Sequence, residues 1–307
     1  ASMEMDNWYN NWKSKSPAQD PKDLKYIKPP NIIVNTTYDS IFDYQKDIYG
    51  QDLRAKVIER IRDEVKFNSL KNLKSQILKD NNIPIGVSCL INGDRNIGQL
   101  MSDDNRINLL SATGSTKMGK DVAQRVGTRL GKSLLELGGN NAIIVSDKAD
   151  LKITIIGALF GAVGTCGQRC TSTRRLIIHD SIYEEVTSKL ANAYTQLQIG
   201  DPLNESNHVG PLIDKQAVEM YLSAIEKAKK EGGKVLVEGG VLTGEGYESG
   251  CYVKPVIIEA KNDYKIVQAE TFAPILYVMK YSELEDAVKM QNDVKQGLSS
   301  AIMTTDL

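Results

Sequence analysis

Ser133-Leu-Leu-Glu-Leu-Gly-Gly-Asn-Asn-Ala-Ile-Ile-Val145 carries two short β-prone runs, Ser133–Glu136 and Ala142–Val145, hinged at a pair of glycines. A helical pattern follows at about Leu151–Ala162. The alternation continues outward on both sides. Further strands are expected at Ile85–Leu90, Ile107–Ser111, Leu176–His179, Lys234–Val237, Val253–Ile258 and Leu276–Lys280. Helices are expected at about Lys117–Leu130, Ser181–Leu197, Lys215–Glu231 and Ser282–Asp293. Strand and helix in alternation predict an α/β fold, a Rossmann-like parallel sheet covered by helices, which binds nucleotides at the carboxyl ends of its strands.

The 307 residues leave room for two domains. With 38 Lys+Arg against 39 Asp+Glu the net charge is -1, which gives no overall attraction to nucleic acid or an anionic membrane, so neither is expected as a partner. The longest apolar stretches, around Leu135–Val145 and Ile155–Val163, are shorter than the roughly 20 residues a membrane span needs. Cys89, Cys166, Cys170 and Cys251 are too few and too scattered for a disulfide framework, which points to a reducing, cytoplasmic setting.

Composition breaks near residue 73. Of 24 glycines only Gly50 precedes it, whereas Trp8, Trp12 and four prolines do. Residues 1–35 read as loop or poorly ordered tail, and an amphipathic helix is expected from about residue 51 to Lys79. Residues 1–72 therefore form an unassigned N-terminal segment.

Several short patterns suggest chemistry. Glu136 ends an apolar strand directly before Leu137, Gly138 and Gly139. A carboxylate in apolar surroundings has its affinity for a proton raised, which suits a general base; a salt-bridged structural acid fits the residues as well. Cys170 lies 34 residues further on, in Gly164-Thr-Cys-Gly-Gln-Arg-Cys-Thr-Ser-Thr-Arg-Arg175. The positive charge of Arg169, Arg174 and Arg175 favours a nucleophilic thiolate, while a cysteine in such a position also serves as a buried apolar filler. Cys166 and Cys170, with only His179 and His208 elsewhere, do not make a zinc site. Glu270, in Glu270-Thr-Phe-Ala-Pro274, either points to a ribose hydroxyl or is an exposed turn acid.

Two glycine pairs, Gly93-Asp-Arg-Asn-Ile-Gly98 and Gly114-Ser-Thr-Lys-Met-Gly119, follow expected strands and suit a phosphate at a helix N-terminus, or are merely tight connections. The second nearly spells a phosphate-binding loop, but Asp121 stands where a magnesium-binding hydroxyl is required.

The order of these segments resembles the NAD(P)-dependent aldehyde dehydrogenase superfamily, over about residues 73–307. The signal is Gly114-Ser115, then Glu136-Leu-Gly-Gly-Asn140, then Gly167-Gln-Arg-Cys170, then Glu270-Thr-Phe-Ala-Pro274. Asn140-Asn141, Arg174-Arg175, Leu276-Tyr-Val-Met-Lys280 and Gln296-Gly-Leu-Ser-Ser300 are similar to its antiquitin-like branch, which oxidises α-aminoadipate semialdehyde in lysine degradation. The resemblance implies a partial dinucleotide-binding domain at 73–137 and a catalytic thiol domain at 138–307 that ends before the family's does. It implies Cys170 as nucleophile and Glu136 as general base, with Arg169 holding the substrate's distal carboxylate. Gly93, Gly98, Gly114, Ser115, Leu137, Glu270 and Phe272 would contact the cofactor. That cofactor is NAD, with NADP left open, and no metal is implied. Residues 1–72 match neither the family's oxyanion asparagine nor its adenine-ribose lysine, and the family's tail, which supports homo-oligomers, has no counterpart here. The expectation is an aldehyde-oxidising enzyme; the alternative is an incomplete relative that keeps the fold without turnover.

Overall fold

The computed structural model of the chain describes residues 91–306, so the expected strand Ile85–Leu90 and the expected helix beginning near residue 51 lie outside the described residues. The chain divides into two units, Ala1–Asn92 and Gly93–Leu307, and the second carries every element that follows. Its first part holds α1 (Arg95–Asp103), β1 (Leu109–Thr113), α2 (Thr116–Thr128) and β2 (Lys132–Glu136). Next come β3 (Asn141–Val145), α3 (Leu151–Val163), β4 (Thr173–His179), α4 (Tyr183–Thr195) and α5 (Lys215–Lys230). The remainder comprises β5 (Lys234–Val237), β6 (Gly240–Val241), β7 (Val253–Lys254), β8 (Val256–Glu259), α6 (Lys265–Gln268), β9 (Ile275–Tyr281), α7 (Leu284–Asn292) and β10 (Ser300–Met303).

β1 and β2 pair in parallel with α2 as their crossover, the expected βαβ unit. The larger sheet has the strand order β10-β3-β4-β9-β8-β5, parallel throughout except for β5 at one edge. Parallel strands need helical crossovers on their faces, so the central strands are apolar without alternation. All five residues of β3 are buried, as are Leu176, Ile177 and Ile178 of β4. Short polar side chains start the helices: Ser115 Oγ accepts from Met118 N, Asp150 from Ile153 N and Asp214 from Ala217 N.

Three differences from the sequence expectation have local causes. The run expected as one strand, Val253–Ile258, is two, because Pro255 has no N–H for a continuous ladder. β7 pairs with β6, and β8 joins the large sheet. Gly98 is not in a strand-to-helix turn but inside α1, which Asp94 caps. β10 was not expected, since four residues after a glycine-containing segment give little periodicity. It forms because β3 offers it an edge, in register from Ser300–Ala142 to Met303–Val145.

Leu176 is fully buried at the centre of β4. Leu176→Ala is expected to destabilise this unit by about 2–5 kcal/mol, read as a lower midpoint in urea unfolding.

Candidate active site

The chain leaves α3 through Thr165 (φ 55°), Cys166 (φ 52°) and Gly167 (φ 65°), three successive left-handed residues that reverse its direction onto β4. Glycine is required at the last of these. A Cβ on Gly167 would lie 2.5 Å from Ala273 O, so this turn packs backbone against backbone on the Glu270–Pro274 segment. Cys166 points into the hydrophobic core, where burial pushes its thiol up to about 12. Cys170 is half-buried and free, so the two cysteines differ in access although only four residues apart.

Side chains from neighbouring strands hold the backbone around Cys170. Asn141 Nδ2, at the start of β3, donates to Cys170 O at 2.7 Å and to Ser172 O at 2.9 Å, while its Oδ1 accepts from Ser299 N. Arg169 N donates to Ser172 Oγ across the turn. Gln168 bridges to the Val209–Ile213 loop, donating to Pro211 O and accepting from Ile213 N.

The glycine pair after β2 meets the same place. Glu270 Oε1 accepts from Gly139 N at 3.1 Å. A Cβ on Gly138 would collide with the Glu270 carboxylate, and one on Gly139 would fall 2.5 Å from Cys170 O. The structure thus brings together Gly138, Gly139, Cys170 and Glu270 from segments more than 130 residues apart at the extremes. Phe272 is part-exposed two residues beyond Glu270, under the Arg174 guanidinium at 5.5 Å.

Of the other expected site residues, Arg169 lies on the turn after α3 and the rest lie on the β1–β2 side. Glu136 ends β2 with an exposed side chain, so the apolar enclosure expected from sequence is not formed around it by the described residues. The reason is topological: β2 pairs with β1, away from the large sheet. Its carbonyl accepts from Gly114 N at 3.0 Å, which sets the Gly114-Ser115 turn beside the end of β2. Leu137 lies over Gly119 of α2, where a side chain would collide with it. Gly93 faces Ile97 at the start of α1, and Gly98 lies within that helix. Arg169 Nε donates to Thr165 Oγ1 at 2.8 Å, and its guanidinium lies 4.9 Å from the centre of the Phe160 ring.

These features fit a dinucleotide. The Gly114-Ser115 turn puts a helix N-terminus at the carboxyl end of β1, suited to phosphate, and the Gly138–Gly139 cradle just after β2 holds the Glu270 carboxylate. The sequence did not single out Gln168 or Asn141 for the site. Asn141 opens a strand that is otherwise Ala, Ile and Val, and an amide at the head of so apolar a run is the signal that marks it.

A model of the aldehyde dehydrogenase family matches residues 69–307. The chain belongs to the aldehyde dehydrogenase family. It is 50% identical over 234 residues to alpha-aminoadipic semialdehyde dehydrogenase of Mus musculus, covering 76% of this chain and 43% of that one. To a putative aldehyde dehydrogenase family 7 member A1 homolog of Caenorhabditis elegans it is 46% identical over 242 residues, 78% of this chain and 45% of the relative. It therefore spans less than half the length of these curated relatives. Among solved structures it is similar to betaine aldehyde dehydrogenase of Staphylococcus aureus in complex with NAD+, with a TM-score of 0.66 and 27% identity over 68% of this chain and 42% of that one. A riboflavin kinase model matches residues 30–83. Among the described residues, no helix is long and apolar enough to cross a membrane, and no group of three or more His, Cys, Asp or Glu could hold a metal ion.

Two outcomes are expected. Gly138→Ala should push Glu270 off the cradle and weaken NAD binding about tenfold or more in equilibrium dialysis, with the fold retained by circular dichroism. Iodoacetamide between pH 7 and 9 should modify Cys170 and leave Cys166 untouched by peptide mass spectrometry, since a thiol raised to about 12 carries almost no thiolate there.

Proposed function

We propose that the chain oxidises an aldehyde to a carboxylic acid with NAD(P), and that its substrate is α-aminoadipate semialdehyde in lysine degradation. The observation that carries this reading is the meeting of Cys170, the Gly138–Gly139 cradle and Glu270 at one point. The identity to alpha-aminoadipic semialdehyde dehydrogenase supports the choice of aldehyde. Free thiols at Cys166, Cys170 and Cys251 fit a reducing, cytoplasmic setting.

The Cys170 thiolate adds to the aldehyde carbon to give a thiohemiacetal, with the adjoining backbone held by Asn141. Gly114 and Ser115 would hold the pyrophosphate of NAD, and Leu137, Glu270 and Phe272 its nicotinamide end, with Gly93 and Gly98 toward the adenine. When bound, NAD supplies the hydride acceptor that turns the thiohemiacetal into a thioester. Glu136 then takes a proton from water, the hydroxide attacks the thioester carbon, and Cys170 leaves as thiolate while the acid departs. Glu136 is exposed at a strand end, where its carboxylate can reach water.

Arg169 would bind the substrate's distal carboxylate. Its Nε is taken by Thr165, and its two Nη groups have no hydrogen-bond partner among the described residues. A guanidinium fixed at Nε and on a ring face is pre-oriented for a two-pronged grip.

The enzyme reading predicts NADH fluorescence from the purified chain with α-aminoadipate semialdehyde and NAD, abolished in Cys170→Ala. A folded chain that yields no NADH would establish the alternative, a relative that keeps the fold without turnover. Arg169→Leu should raise KM for this semialdehyde about 10- to 100-fold and that for a simple alkyl aldehyde far less; equal effects on both would refute the role.

A further inference from the structure

Arg174 is 3% exposed and has no carboxylate within ion-pair distance among the described residues. Its Nη1 donates to Ala273 O at 3.0 Å and its Nη2 to Arg169 O at 3.2 Å. The first acceptor belongs to the Glu270–Pro274 turn and the second immediately precedes Cys170. The guanidinium also lies over Phe272. A buried cation is costly unless its donors are used; its two Nη groups are used by the two segments they join, while its buried Nε has no partner among the described residues.

The strand itself is distorted to aim it there. Asn141 pairs with Thr173 and Ala142 with Arg175, which leaves Arg174 as the extra residue of a bulge in β4. Bulges of this kind re-aim a side chain beside functional sites. Burial lowers the Arg174 pKa to about 10, opposed by Glu270, Tyr277 and Cys170, so it is a cation at neutral pH and within electrostatic reach of both site acids.

We propose that Arg174 is a positioning residue that locks the Cys170 turn to the Glu270 turn, so that nucleophile and cofactor-side carboxylate keep one fixed relation. This rests on the assignment of Cys170 and Glu270 to the same reaction. Asn141 fixes the Cys170 carbonyl from the sheet side, but Arg174 alone among these side chains touches both turns.

The test is the ratio of Cys170 to Cys251 alkylation by iodoacetamide in the full chain without cofactor, resolved by peptide mass spectrometry, with thermal unfolding as the check on folding. Arg174→Met removes the charge and both hydrogen bonds and should lower the ratio at least about fivefold. Arg174→Lys keeps the charge and one donor and should return it to within about twofold of the original. An unchanged ratio in a folded Arg174→Met chain, or a Lys variant no better than Met, overturns the proposal. If the Met variant does not fold, Arg174→Gln takes its place with the same expected fall, and an unchanged ratio there overturns it equally. NAD binding by equilibrium dialysis is measured in parallel. Loss of the ratio effect with NAD binding intact refutes Arg174 alone, whereas a chain that binds no NAD refutes the cofactor site and leaves the ratio to decide Arg174.

Discussion

Two neighbouring guanidiniums on β4 are buried without carboxylate partners, and the site depends on what they bind instead. Arg175 is fully buried and donates to Asn140 O, Met290 O, Gln291 O and Asn262 Oδ1. Met290 and Gln291 are at the carboxyl end of α7, where unpaired carbonyls and the helix dipole favour a cation. Arg174 binds the carbonyls of Arg169 and Ala273. Every acceptor except Asn262 is a main-chain oxygen, so the charge of both residues is balanced by backbone dipoles. Desolvation lowers both pKa values to about 10, which leaves the pair charged throughout the neutral range.

The same interactions explain where the glycines are. Once the carbonyls of 140, 169 and 273 are drawn to β4, the loops that carry them pack at backbone distance. Gly139 against Cys170 O and Gly167 against Ala273 O leave no room for a Cβ. The Gly138 cradle then receives the Glu270 carboxylate, which takes a main-chain N–H rather than a cationic side chain as its hydrogen-bond partner. A site made this way owes its geometry to close approach of the chain, and its reactive side chains are carried on turns braced by the sheet.

Glu136 stands apart from this bracing. It belongs to the β1–β2 pair, where its carbonyl accepts from Gly114 N, and its side chain is exposed. The described residues thus hold a rigid half of the site, around Cys170 and Glu270, and a more open half, around Glu136 and the Gly114-Ser115 turn. The difference follows from the sheets: β3 and β4 are interior strands of six, β2 is one of two.

By itself the sequence determined the alternation of strand and helix, since short apolar runs such as Ala142–Val145 set between helical patterns fit the covered strands of a parallel sheet. It also marked Cys170, Glu270 and the glycine pair, although each residue alone left a structural reading open and only the order of the segments, through the family resemblance, gave them roles. Only the tertiary structure decided that Arg174 and Arg175 face loop carbonyls, that Asn141 holds the Cys170 turn and that Glu136 is exposed. Those facts depend on partners from 5 to 116 positions away in the chain, on a bulge that shifts register by one residue, and on which sheet a strand joins. Local propensity carries no information about such long-range pairings, and a β10 built from four residues at an edge exists only because β3 is there to receive it.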